Sequence, residues 1–319
     1  MLTLARRLSW AAAIGMLLVL LMGATVTKTG SAEGCGRSWP LCHGQFIPEY
    51  AFETAVEYSH RLVTSIEGLL LAAACVAAFR FRRQLPELKA LIPLTIFTLL
   101  LQSGMGAAAV MWPQSAPVLA LHFGISLTAL ASVTLMARVL GEGPDRPPRN
   151  DAAVPTAFRR AAWGTLLAVT AVAYLGAYVR HAKASMACTT WPLCNGEWFP
   201  GFTGPEGIVF GHRLAAAAVG ALLVAMWLWA RRIPERPDLA NLGGVSVLLV
   251  AAQALSGAFL PWTNLSFAST MAHALIMAFL FVVVCETCRV VLPQPVGIPA
   301  PSADDAPRAH AARPAQAGD

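Results

Sequence analysis

The sequence predicts an all-α integral membrane fold: eight transmembrane helices arranged as two parallel-repeat four-helix bundles, with both termini cytoplasmic. Three observations predict it. The 319 residues are 56% hydrophobic and only 13% charged, whereas a soluble domain carries about 25% charged residues; mean hydropathy is +0.59. Long uncharged runs alternate with short basic clusters. Finally, a set of landmarks recurs along the chain at an offset of 151 to 153 residues.

About 20 apolar residues cross a bilayer. The first run, Leu8 to Val26, follows Arg6 and Arg7. A cleaved signal peptide has a similar start, but this run is long for one. A matching segment also recurs mid-chain, from Ala161 to Val179. Spans two and six follow the long loops, near residues 57–79 and 208–230. From Ala90 to Ala137 there is no Asp, Glu, Lys or Arg, so two spans are expected, broken at Trp112–Pro117. Leu239 to Cys285 is uncharged in the same way, with its expected break at Pro261–Asn264. Proline and turn residues end a helix at such places.

The net charge of +6 raises the question of nucleic acid. The distribution answers against it, because the basic residues form short clusters between apolar runs. Of the 23 Lys and Arg, 17 lie in the terminal segments and the loops on their side. Only Lys28, Arg37, Arg180 and Lys183 lie in the opposite loops, and Arg61 and Arg213 lie within spans. The positive-inside rule then makes both termini cytoplasmic. Residues 1–145 form an N-terminal half and 156–293 a C-terminal half, joined by the polar, Pro-rich stretch Gly141–Pro155. Residues 294–319, rich in Pro and Ala, are expected to be a disordered cytoplasmic tail.

The repeat is specific. Cys35-Gly-Arg-Ser-Trp39-Pro40-Leu41-Cys42-His43-Gly44 matches Cys188-Thr-Thr-Trp191-Pro192-Leu193-Cys194-Asn195-Gly196. His60-Arg61-Leu62 matches His212-Arg213-Leu214, Gln102 matches Gln253, and His122 matches His273. Each half has an even number of spans, so the halves share one orientation and are related by an axis along the membrane normal.

His60, His122, His212 and His273 each lie near the outer end of an even-numbered span. Within a half, two imidazoles can meet across the bundle core, where such folds build cofactor sites. A closed structural zinc site needs four ligands; two axial histidines suffice for a haem iron. The bland alternative, four helix–helix hydrogen bonds, sits poorly with four histidines at repeat-related positions in a membrane, where polar groups are costly. Arg61 and Arg213 each follow a histidine. They suit either a haem propionate or a lipid headgroup reached by snorkelling.

The halves differ at one telling place. Glu57-Tyr58-Ser59-His60 stands opposite Val209-Phe210-Gly211-His212. Glu57, one turn from His60 on the same face, is placed to move protons at the cofactor's edge, or else to match the helix dipole. Glu67 lies two turns deeper than His60, with Val219 as its counterpart, and is open between proton relay and buried acid. Cys35 with Cys42, and Cys188 with Cys194, fall in outer loops where thiols oxidise; one disulfide is expected in each. The second reads as a structural staple. The first is open between staple and electron or substrate exchange. Cys285-x-x-Cys288, at a membrane edge, is given no role.

This set, in this order over residues 8–290, resembles the haem A synthase family. The resemblance implies an oxidoreductase of cytochrome oxidase assembly that oxidises the C8 methyl group of haem O to a formyl, through two hydroxylations and loss of water. It implies His60 and His122 as ligands of the substrate haem O, and His212 and His273 as ligands of a haem B cofactor. Glu57 would be the catalytic carboxylate, with Cys35 and Cys42 beside it. Expected partners are the haem O synthase that supplies the substrate, a membrane electron acceptor and the lipid bilayer; nucleic acid is not expected, and self-association is open. The expected location is the inner (plasma) membrane, with the haem sites toward its outer side. His43 matches no role in the family. The rival reading is a two-haem, cytochrome b-like electron carrier; a haem transporter is a second. Neither accounts for the one-sided Glu57.

Overall fold

The computed structural model describes residues 1–112 and 114–295. It contains eight long helices: α1 (Leu2–Thr29), α2 (Phe52–Phe79), α3 (Leu88–Met111), α4 (Ala116–Glu142), α5 (Thr156–His181), α6 (Gly204–Ala230), α7 (Pro237–Trp262) and α8 (Phe267–Val291). Among the described residues, all eight are long and apolar enough to cross a membrane. The chain is a multi-pass membrane protein. The helices run from 24 to 28 residues, or about 36–42 Å at 1.5 Å per residue. That exceeds the ~30 Å hydrocarbon layer and carries the helix ends into the headgroup region.

The helix ends have local causes. Gly30 closes α1 with φ of 72°, a left-handed cap that glycine adopts without strain. Prolines occupy the first turns of α4, α6 and α7, where a missing N–H costs no bond. At α8 the Ser266 hydroxyl accepts the Ser269 N–H at 3.2 Å, satisfying one of the free donors at a helix start. The break expected from Pro261 falls later, because α7 continues through Pro261 to Trp262. A proline in the last turn removes a single helical bond, and the Thr263 N–H still reaches the Phe259 carbonyl at 3.0 Å.

In the first half α1 packs on α2 and α4, and α3 on α4 and α2. In the second half α5 packs on α6 and α8, and α7 on α8 and α6. The halves meet through α4 against α8, with α1 touching α8 and α5 touching α4. Accordingly α4 and α8 are the most buried spans. Lipid tails are as apolar as leucine, so packing and polar contacts bind these helices instead of a hydrophobic driving force. Met16, Leu71, Leu127, Met136 and Leu140 fill the core. The Thr95 hydroxyl donates to Ser132 across α3 and α4 at 2.9 Å.

At the ends of α4 and α8 remote from the disulfide loops, a charged network ties the halves together. Glu286 accepts from Arg138 at 3.1 Å and from Arg289 at 2.7 Å. Arg289 also bonds Glu142, which pairs with Arg146 at 3.0 Å. Arg236 joins Asp151, Asp238 and the Val290 carbonyl nearby. Gln294, first residue of the expected tail, makes two bonds to the stretch between the halves: its side chain accepts from the Arg149 N–H and its own N–H donates to Asp151. The rest of that expectation, from residue 296, lies outside the described residues. Glu286 and Arg289 are both buried, and removing one partner of a buried pair is costly. We expect Glu286→Leu to destabilise the protein by about 3 kcal/mol, seen as a lower midpoint of thermal unfolding in detergent, whereas Glu33→Leu at the exposed loop changes little.

Candidate functional site

The site is built from the disulfide end inward. The loop after α1 and the loop after α5 have one architecture. Cys35–Cys42 and Cys188–Cys194 are disulfide-bonded. Each loop closes in a tight hairpin, His43-Gly44 with φ of 52° and 77°, and Asn195-Gly196 with φ of 55° and 91°. Both central residues of such a turn need positive φ, hence a glycine in each. His43, which the sequence left without a role, is the equivalent of Asn195, and both brace their loop. His43 Nε2–H donates to the Gly34 carbonyl at 3.1 Å, and Asn195 Nδ2 to the Ala187 carbonyl at 2.7 Å. Gly34 and Ala187 are themselves repeat equivalents.

Arg61 and Arg213 hold these loops onto their helices. Arg61 Nη1 donates to the carbonyls of Ser38 (2.7 Å) and Leu41 (3.1 Å). Arg213 Nη1 donates to those of Thr190 (2.8 Å) and Leu193 (3.0 Å), and its Nη2 to Cys188. Both guanidinium groups are therefore turned to the loop. The Arg61 Nε–H remains buried without a partner.

Glu57 breaks the symmetry. It is 3% exposed. One carboxylate oxygen accepts the Cys35 N–H at 2.8 Å, and the other accepts Arg61 Nη2 at 2.5 Å. Glu57, Cys35 and Cys42 are thus brought together, and the carboxylate touches the backbone of the disulfide itself. Val209 holds the equivalent place in the second half and offers no acceptor. Glu67, deeper in α2, is also buried, with Oε1 unpartnered, and a Cβ at Gly15 of α1 would collide with its carboxylate.

The four histidines lie six to eight residues into α2, α4, α6 and α8, counted from the helix ends nearest the disulfide loops. His60 and His122 thus stand at the same end of α2 and α4, and His212 and His273 at the same end of α6 and α8. Each ring lies against a glycine of the preceding helix. A Cβ on Gly23 would stand 3.4 Å from His60 Cε1, and one on Gly106 3.8 Å from His122 Cε1. In the second half the fit is tighter: 2.9 Å from Gly176 to His212 Cε1, and 3.3 Å from Gly257 to His273 Cε1. Gly23 with Gly176, and Gly106 with Gly257, share the repeat offset, so the pattern of seats is present in the sequence.

The Nδ1 atoms of His60, His122 and His212 are buried with no hydrogen-bond partner. A buried polar atom without a partner costs roughly 1–3 kcal/mol, and more where lipid replaces water. The donor set suits a metal that brings most of its own ligands. Among the described residues no three His, Cys, Asp or Glu side chains gather around one point, so a bare ion finds too few protein donors. Paired imidazoles match the two axial positions of a haem, and the glycine seats leave the rings the room they need.

The fold and site define a polytopic helical membrane protein with two repeat-related histidine pairs, each under a disulfide-closed loop. A family model for cytochrome oxidase assembly proteins matches residues 6–285. The "Heme A synthase" of Symbiobacterium thermophilum is 42% identical over 292 residues, covering 90% of this chain and 95% of the relative. That of Halalkalibacterium halodurans is 40% identical over 278 residues, covering 85% and 92%. That of Shouchella clausii is 37% identical, covering 88% and 94%. The chain belongs to the haem A synthase family of cytochrome oxidase assembly proteins.

Glu57 carries the loop contact that the second half lacks. Glu57→Ala should open the first loop at a cost of about 2 kcal/mol, near the middle of the range for an abandoned buried bond. Hydrogen exchange at the Cys35 amide would then quicken about 30-fold. Val209→Ala should leave exchange at Cys188 as it is.

Proposed function

We propose that this chain oxidises the C8 methyl group of haem O to a formyl group, giving haem A for cytochrome oxidase. The single observation that carries the reading is Glu57: a buried carboxylate near one histidine pair, bonded to a disulfide loop, and absent from the matching half. Residues 1–145 act as the substrate half and 156–293 as the cofactor half, two parallel repeats about an axis along the membrane normal. The basic clusters put both termini in the cytoplasm. The disulfide loops and the histidine pairs then lie toward the outer side of the inner (plasma) membrane, where disulfides persist.

In this reading His60 and His122 hold the substrate haem O, and His212 and His273 hold haem B. Haem B, when bound, supplies one-electron transfer through its iron. The remaining work falls to side chains of this chain. The histidine pairs fix the macrocycles in place, and Gly23, Gly106, Gly176 and Gly257 give the rings their seats. Arg61 Nε is a free donor for a propionate, and Arg213 would serve the same purpose in the second half. Turning a methyl group into a formyl replaces two hydrogens on the carbon with an oxygen taken from water and releases four protons and four electrons. Glu57 is the carboxylate that receives a proton there, at the oxygens that meet Cys35 N–H and Arg61. Its bond to Arg61 Nη2 holds it in place. Cys35 and Cys42 keep that carboxylate oriented and lie close enough to belong to the same catalytic unit. Haem O arrives from the haem O synthase, and electrons leave to a membrane acceptor.

The test is to purify the protein from cells that make haem O, extract the pigments and separate them. Wild type should carry haem B with haem A or hydroxylated haem O. Loss of a positioned acid or base costs ~10²–10⁴-fold in rate, so Glu57→Ala should carry haem B with unreacted haem O. His60→Ala should lose haem O. Haem B in both halves of the wild type, unaltered by Glu57→Ala, would establish an electron carrier instead. The seats give a second measurement. Gly176→Ala pushes a Cβ to 2.9 Å from His212 Cε1 and should lower haem B content. Gly211→Ala meets open space and should leave it unchanged.

A further inference from the structure

The two halves hold their imidazoles with unequal firmness, and one residue accounts for much of the difference. His273 is gripped at both ring nitrogens. Ser256 Oγ lies 2.8 Å from Nδ1, and Gln253 Nε2 lies 3.1 Å from Nε2. The Ser256 hydroxyl donates its only hydrogen to the Gln253 carbonyl at 2.9 Å. Toward His273 it is therefore the acceptor, and Nδ1 carries the hydrogen. The Gln253 amide agrees, because an N–H pointing at Nε2 requires a lone pair there. Both bonds select the tautomer with its lone pair on Nε2; iron taking that lone pair would displace the Gln253 amide, and the Ser256 bond would then hold the ring alone.

The first half has neither grip. Met105 stands where Ser256 stands, at the same offset that relates His122 to His273. His122 Nδ1 is buried with no partner. Gln102, the equivalent of Gln253, turns its amide to the Met16 sulfur at 3.5 Å. The glycine seats differ in the same sense, tighter around both rings of the second half.

We propose that Ser256 is a positioning residue that fixes the tautomer and orientation of His273 and so keeps the haem of the second half resident, while Met105 leaves His122 free to take up and release a haem. The proposal rests on the division into substrate and cofactor halves made above. A partner on the non-coordinating nitrogen fixes the ring and raises its basicity, and loss of such a partner costs about 10–100-fold in metal affinity. A ring already held in its binding orientation also loses less freedom when it binds. An enzyme that keeps one haem and passes the other on needs both behaviours in one fold, and a Ser/Met difference at one repeat position provides them.

The experiment follows haem loss from the detergent-purified protein into excess apomyoglobin, with the low-spin spectrum and the haem-to-protein ratio recorded alongside. Wild type should lose its haems in two phases, and His273→Ala should abolish the slow one. Ser256→Ala should quicken the slow phase about 10–100-fold and leave the fast phase as it was. Ser256→Thr, which keeps the hydroxyl, should restore the wild-type rate. Met105→Ser should slow the fast phase. Two phases with the slow one unmoved in Ser256→Ala would overturn this proposal and leave the division of the halves standing. A single phase in wild type would overturn the division and the proposal together. If Ser256→Ala does not accumulate, Met105→Ser decides: a fast phase unchanged by the added hydroxyl overturns the proposal.

Discussion

An imidazole nitrogen buried in a helix bundle within a bilayer has no water to turn to, and much of this architecture answers that constraint. Four such rings stand in four helices, and three of their Nδ1 atoms have no protein partner. A soluble protein would hydrate these groups or find them serines. Here the rings are instead placed in pairs, faced by glycines that give them space, and closed over by a stapled loop. On the proposed reading a haem takes the other ring nitrogen, Nε2, of each pair. Haem fits, because it needs only two ligands from the protein and brings an apolar face that a membrane bundle accommodates.

The loops show how a repeated fold specialises. Arg61 and Arg213 clasp equivalent carbonyls, and His43 and Asn195 brace equivalent turns. Against that common background the differences are few and chemical: Glu57 for Val209, Glu67 for Val219, Met105 for Ser256. The first two put carboxylates into one half. The third removes a grip from the same half. On the proposed division of the halves, all three make the first half the more reactive and the second the more rigid.

At the other end of the molecule α4 and α8 are joined through the buried pair Arg289 and Glu286, to which the exposed Arg138, the repeat equivalent of Arg289, also binds. Buried pairs of this kind contribute little net stability over well-packed apolar side chains. They fix which faces meet, because any other register strands a charge. That register sets the relation of the two histidine pairs to each other. The charged network and the histidine pairs are thus parts of one arrangement, at opposite ends of the same helices.

The sequence by itself determined the eight spans, the four repeat-related histidines, the disulfide pairs and the lone Glu57. Hydrophobic run length, a constant offset and residue chemistry are local properties, and each survives reading in one dimension. The helix end at Trp262 needed more, because whether a proline ends a helix or rides in its last turn depends on what caps the turn. Tertiary structure alone decided that Arg61 and Arg213 turn their Nη groups to the loops, that His43 is a brace, and that Glu57 meets the Cys35 amide. It alone also set a glycine of the neighbouring helix against each histidine and left His122 loose while His273 is held. These are contacts between elements far apart in sequence. They depend on differences of a few tenths of an ångström in how side chains approach, and the offset of a repeat cannot encode that.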